Sequence, residues 1–284
     1  MILIADGGST KTSWGLIGET GKTTVFETEG YHPFFVDRSY ISQSLHRSIP
    51  EDIREIAPEV TSVYFYSAGG GYSKKTDSVI TDGVTSVFPK AEIFVETDLL
   101  AAARALLQNE AGFAGILGTG TNTCIYNGEK VIHNIESLGF LLGDEGSGSY
   151  IGKKIIGDYI RGYMPSNVEK QYKTYCGMTA DELFDQLYTK PSANKFCAQF
   201  SRFVGENLHR DEYYRKVVYD SFNDLFNNIV IHYPGYRDYS FNCVGSVAYH
   251  FQPILENVVS EYGMKMGKIE KEPLEGLLEF HLAR

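Results

Sequence analysis

Apolar positions fall in short runs broken by glycine, serine and threonine, and the first run sets the pattern. Residues 2–5 and 13–17 predict two strands of a hairpin, joined by the turn Asp6-Gly7-Gly8-Ser9-Thr10-Lys11-Thr12. The turn Gly18-Glu19-Thr20-Gly21 leads to a third strand near residues 23–27. A helix over 38–48 follows Asp37, which fits the N-cap position. Residues 60–66 predict a strand ending in Ser67-Ala68-Gly69-Gly70-Gly71, and residues 74–88 a helix stopped by Pro89. A strand over 92–96 then delivers Thr97 and Asp98 to an alanine-rich helix over 99–108.

After Asn109-Glu110-Ala111-Gly112 the pattern restarts, which places a domain boundary between 1–110 and 111–284. A second apolar run enters the turn Gly118-Thr119-Gly120-Thr121-Asn122 and continues into another strand at 124–126. Asn127-Gly128 signals a tight hairpin, and residues 130–136 extend the meander. The loop Gly143-Asp144-Glu145-Gly146-Ser147-Gly148 precedes a helix near 150–161. Several helical patterns fill 165–240, a long one spanning 213–232, before a strand at 241–244 and a helix opened by Gly245-Ser246-Val247. Two halves that each begin with a three-stranded meander and then alternate strand and helix predict a duplicated α/β fold, with a binding cleft between two lobes.

Composition narrows the partners. At 284 residues and 43% hydrophobic content the chain has material for two lobes with ordinary cores. A net charge of −10 opposes nucleic acid or anionic membrane as the main partner, because both demand a cationic face. Cys124, Cys176, Cys197 and Cys243 lie far apart with no C-x-x-C spacing, so the expectation is buried, reduced thiols and no zinc or iron–sulfur site. No basic segment precedes the N-terminal apolar run, and no stretch reaches the roughly 20 apolar residues of a membrane span. These features predict a cytoplasmic protein.

The chemistry concentrates at the turns. In the first, Gly8, Ser9, Thr10 and Lys11 supply backbone donors, hydroxyls and a cation for phosphates, and Asp6 can hold Mg²⁺ directly or through water. The alternative is a plain hairpin with a Gly-Gly tip. Asp98 is placed to accept a proton from an attacking hydroxyl, or to act as a helix N-cap. Asp144 and Glu145 suit hydrogen bonds to sugar hydroxyls, or a solvated first helical turn that complements the helix dipole. Gly245-Ser246 reads either as a packing surface for adenosine or as a simple strand-to-helix turn. No G-x-S-x-G and no convincing Cys/His pair points to a nucleophilic hydrolase.

Together the blocks Asp6–Thr12, Gly118–Asn122 and Gly139–Ser147 resemble the sugar kinase–Hsp70–actin superfamily. Within it they resemble N-acetylglucosamine kinases and their BadF/BadG-type ATPase relatives, over nearly the whole chain. The resemblance implies a duplicated ribonuclease H-like fold of the actin/Hsp70/hexokinase type and ATP-dependent phosphorylation of an amino sugar, with N-acetyl-D-glucosamine modified at its 6-hydroxyl. It implies Thr10 with Lys11 at the ATP phosphates, Thr119 and Gly120 at ATP, and Gly245 with Ser246 near adenosine. Asp98 falls on the general base, which also touches the sugar. Thr121, Asn122, Ser137, Leu138, Gly139 and Asp144 fall on sugar contacts. His32 stands where the family often has a sugar-binding Asn. The family's cofactors are ATP and Mg²⁺, and its members are commonly homodimers. Alternatives are an N-acetylmuramic acid or glucosamine kinase, an activator ATPase of a 2-hydroxyacyl-CoA dehydratase, and a sugar-sensing regulator.

Overall fold

A computed structural model describes residues 1–8 and 11–283, and the sequence-predicted Ser9 and Thr10 lie outside the described residues. The first of two five-stranded sheets contains β1 (Ile2–Gly7), β2 (Lys11–Ile17), β3 (Thr23–Glu29), β4 (Ser62–Ser67) and β5 (Glu92–Thr97), in the order β3-β2-β1-β4-β5. β1, β2 and β3 run antiparallel, whereas β1, β4 and β5 run parallel. Leu3, Ile4 and Ala5 have no exposed surface, as befits a central strand covered on both faces. The edge strand β3 instead alternates exposed and covered positions. Trp14 anchors the core, stacked on Phe26 at 5.7 Å and edge-on to Phe65 at 5.5 Å.

The second sheet contains β6 (Ala111–Leu117), β7 (Thr121–Asn127), β8 (Val131–Asn134), β9 (Ser240–Val244) and β10 (Lys265–Glu270). Its order is β10-β9-β6-β7-β8, with β6, β9 and β10 parallel. Taken from β8, this repeats the first sheet: third, second, first, fourth, fifth. The α/β duplication expected from the repeated turn is therefore present in the strand order. Among the described residues six α-helices lie between β8 and β9, the five longer ones running from Gly148–Arg161 to Glu212–Asn228. They pack an aromatic-rich core around Tyr172, Phe200, Phe203 and Phe222.

The chain forms two compact units. One comprises Met1–Ala111, Asn127–Val131 and Glu272–Arg284, and the other Gly112–Tyr126 and Ile132–Lys271. The last helix, Leu274–Leu282, belongs to the first unit, where Leu278 fills the space over Gly15 of β2.

Local signals placed several helix starts. Asp37 caps Arg38–Ser48 by accepting from the Tyr40 amide at 2.8 Å, and Ser147 caps Gly148–Arg161. Two expectations need correction. The helix expected to run to Phe88 ends at Thr85, and Val87 and Phe88 turn inward to be buried before Pro89. The cap of helix Asp98–Leu107 is Thr97, whose hydroxyl accepts from the Leu100 amide at 3.1 Å, so Asp98 is not an N-cap.

Candidate active site

Three parallel strands of the first unit end level: Gly7 is opposite Ser67, and Ser67 is opposite Thr97. Carboxyl ends of parallel strands are where α/β sheets bind ligands. The same register sets Asp6, the penultimate residue of β1, at the edge from which Asp98 follows β5. With Thr97 taking the cap, the Asp98 carboxyl is not used to start its helix. Burial raises its affinity for a proton, while the backbone N–H groups of Leu99 and Asp98 pull it back.

Asp6 is shifted in the same direction. Burial foremost, then the negative charges of Asp98 and Glu272, push its carboxyl from 3.8 to about 7, against the opposing pull of Lys11. That ammonium is itself shared between Glu27 at 2.6 Å and Glu272 at 3.2 Å. The corner therefore carries more negative charge than its cation offsets, which fits a bound divalent ion. Among the described residues no three His, Cys, Asp or Glu side chains cluster as a metal cage. Such an ion would take most of its ligands from phosphate and water, as Mg²⁺ does.

His32 is held at the loop after β4. Its ring lies so close to Gly69 that a Cβ there would meet Cε1 at 2.9 Å. Two residues on, a Cβ at Gly71 would meet the Thr97 amide nitrogen at 2.9 Å, so the loop is pressed against the start of the Asp98 helix. This Gly69–Gly71 loop was not singled out as part of the site from sequence, although three successive glycines after a strand were the available signal.

In the second unit, the turn after β6 is built around Asp144. Its Oδ1 accepts from the Thr121 amide at 3.2 Å, its carboxylate covers Gly120, and the Thr121 hydroxyl donates to the Glu145 carbonyl at 2.7 Å. Asp144 is 7% exposed, and burial raises its carboxyl above the usual range. The amides of Gly148 and Ser149 donate to the carbonyls of Gly118 and Thr119, tying the following helix to the same turn. Gly245 lies directly against the Leu117 carbonyl oxygen with φ +127, so Ser246 starts its helix beside that turn.

Other expected contacts are placed less centrally. Asn122 points to the opposite face of β7, where its Oδ1 accepts from Asn134 at 2.9 Å. The Ser137 carbonyl accepts from the Asp144 amide, while Leu138 and Gly139 both have positive φ and Leu138 is exposed. Lys153 was not foreseen, since nothing in its sequence context marks it. Its ammonium donates to the carbonyls of Phe140 at 2.5 Å and Gly143 at 3.2 Å, bracing the loop that carries Asp144. All four cysteines are free. Cys124, Cys197 and Cys243 are buried, whereas Cys176 is partly exposed. No helix is long and apolar enough to cross a membrane among the described residues.

No family model and no curated protein matches the chain. Solved structures do. A provisionally assigned N-acetylglucosamine kinase from Porphyromonas gingivalis is 35% identical, with 100% of this chain and 99% of that one covered and a TM-score of 0.92. A second provisionally assigned N-acetylglucosamine kinase, from Chromobacterium violaceum, shares 13% identity, 98% of each chain and a TM-score of 0.74. A ROK family glucokinase from Streptomyces griseus, solved with glucose and AMPPNP, shares 13% identity and a TM-score of 0.57, with 99% of this chain and 97% of that one covered. The last two show the fold alone. The doubled sheet has the fold of actin, Hsp70 and the ROK sugar kinases, and full-length similarity at 35% identity places the chain in the class of sugar kinases. Within that class, the chain belongs to the N-acetylglucosamine kinase family.

Proposed function

We propose that this protein transfers the γ-phosphoryl group of ATP to the 6-hydroxyl of N-acetyl-D-glucosamine. The observation that carries the proposal is the placement of Asp98. Asp98 is not the cap of its helix, it follows the level end of three parallel strands, and burial makes its carboxyl more basic. Asp98 orients the sugar hydroxyl and takes its proton as the oxygen attacks. Phosphoryl transfer passes through a loose in-line transition state, so the protein acts mainly by holding groups in line and balancing charge.

Asp6 is the residue assigned to Mg²⁺, and a bound ion there would neutralise phosphate charge. In the first unit, Gly8, Ser9, Thr10 and Lys11 are assigned to the phosphates. Of these, Lys11 must exchange part of its pairing with Glu27 and Glu272 to reach them. In the second unit, Thr119, Gly120, Gly245 and Ser246 are assigned to the nucleotide. Thr121, Asn122, Ser137, Leu138, Gly139 and Asp144 are assigned to the sugar, together with His32 from the first unit. Asp144 acts there partly by holding the Thr119–Thr121 turn in shape. The working form is proposed to be a cytoplasmic homodimer.

The activator-ATPase alternative draws no support from the thiols. Burial pushes Cys124 up to about 12 and Cys197 to about 11, which opposes the thiolate form that cluster ligands need. Coupled ADP release over a panel of N-acetylglucosamine, N-acetylmuramic acid, glucosamine and glucose tests the proposal, with mass spectrometry locating the phosphate. Release with none of these sugars would sink it.

A further inference from the structure

A cavity of about 270 Å³ opens in the second unit between helix Gly148–Arg161 and helix Ala180–Tyr188, with Cys197 of helix Ala193–Asn207 in its wall. Two glycines shape it. Gly152 leaves no room for a Cβ beside the Cys197 backbone, so the first and third of these helices touch there. Further along the same helix, a Cβ at Gly157 would meet only the Arg161 guanidinium, at 3.7 Å, so that face is open. Phe184, Leu187 and Tyr188 give the cavity an apolar side, and the rings of Phe184 and Tyr188 lie nearly parallel with centroids 6.2 Å apart. Lys153 and Arg161 supply two cations, and no carboxylate is among the lining residues. Cations without acids, set against aromatic walls, select a small anion with an apolar body. The volume equals that of about nine water molecules, which suits a ligand of about ten non-hydrogen atoms.

Lys153 ties this cavity to the candidate site. Its ammonium donates to the carbonyls of Phe140 and of Gly143, the residue before Asp144. Burial opposes the charge, and the Cys197 thiol in the cavity wall feels it. An anion nearby favours the charged ammonium, and with it the two bonds that brace the loop.

We propose that the cavity binds a small monocarboxylate with an aromatic or branched apolar body. The carboxylate takes a forked pair of hydrogen bonds from Arg161 and faces Lys153, while the body lies against Phe184, Leu187 and Tyr188. Bound there, it steadies the Asp144 loop. Resting on the kinase reading, this tightens the hold on the acceptor sugar.

The test titrates hydrocinnamate into the full chain by calorimetry, beside hydrocinnamyl alcohol and inorganic phosphate. Hydrocinnamate should fill one site with a Kd of about 0.1–1 mM. The alcohol lacks the charge and phosphate lacks the apolar body, so each should bind at least ~10-fold more weakly. Gly157→Leu fills the cavity and Arg161→Gln removes the fork. Each should weaken hydrocinnamate about 10-fold or more, with circular dichroism and turnover without the probe unchanged. Arg161→Gln decides alone should the leucine variant not fold. In coupled ADP release, saturating hydrocinnamate should lower KM for N-acetylglucosamine about 5-fold in wild type and not in Gly157→Leu. No binding, equal binding of the alcohol or of phosphate, or undiminished binding by the variants overturns the site. Binding with an unmoved KM overturns its link to the sugar. Wild-type protein that phosphorylates no amino sugar removes the kinase reading instead, and calorimetry still decides the site.

Discussion

Asp6→Asn should stabilise the metal-free protein above neutral pH, by an amount set by the surroundings of Asp6. Burial first, then the Asp98 and Glu272 carboxylates, raise the Asp6 carboxyl from 3.8 to about 7. In the unfolded chain it titrates near ~3.9. Because the folded value is the higher one, the protonated group favours the folded state fully below about pH 4. That advantage is lost as pH rises toward about 7. The rise from 3.8 to about 7 corresponds to about 4 kcal/mol. Across 284 residues, an unfolding entropy of ~2.1 cal/mol/K per residue converts this to about 5–7 °C in Tm. Melting followed by circular dichroism in EDTA should show Asp6→Asn and wild type together near pH 4 and separating toward pH 8, the variant melting higher. Parallel melting curves at every pH, or a variant that melts lower at pH 8, would refute the reasoning.

Asp98→Asn should lower kcat by about 10²- to 10⁴-fold with ATP affinity nearly intact, measured by coupled ADP release and calorimetry. Near-normal turnover in that variant would take Asp98 out of the base role. Thr97→Ala removes the cap of the Asp98 helix and should cost about 1 kcal/mol in denaturant unfolding, whereas Thr97→Ser should cost much less. Gly245→Ala would drive a Cβ into the Leu117 carbonyl at φ +127. It should lower Tm by several degrees, and an unchanged Tm would show that the contact relaxes freely.

Much of the architecture was legible because its signals are local. Asp37 and Ser147 sit three residues before the amides they cap, so their roles depend on a few bonds within one turn. The repeated glycine turn gave notice of the duplication before the matching strand orders were seen. Where two local solutions compete, the sequence is ambiguous. Thr97 and Asp98 are both good caps, and the register of β5 against β4 decided which one starts the helix. The candidate site was less legible. Lys153 braces the Asp144 loop through backbone carbonyls, and carbonyls leave no mark on residue identity. The bond from Asn122 to Asn134 depends on which face of β7 each residue occupies.

Residue identities alone determined the α/β class, the two repeated halves, the Asp37 and Ser147 caps, several turns, and the acids and glycines available for phosphate chemistry. Hydrogen bonds between near neighbours and backbone geometry are enough for these. The tertiary structure decided that β1, β4 and β5 end level, bringing Asp6 close enough to feel the charge of Asp98, and that His32 rests on the Gly69 loop. It also decided that the last helix packs over Gly15. Those outcomes come from strand pairing and burial between segments far apart in the chain, where the free energy belongs to the contact and neither segment shows it in isolation.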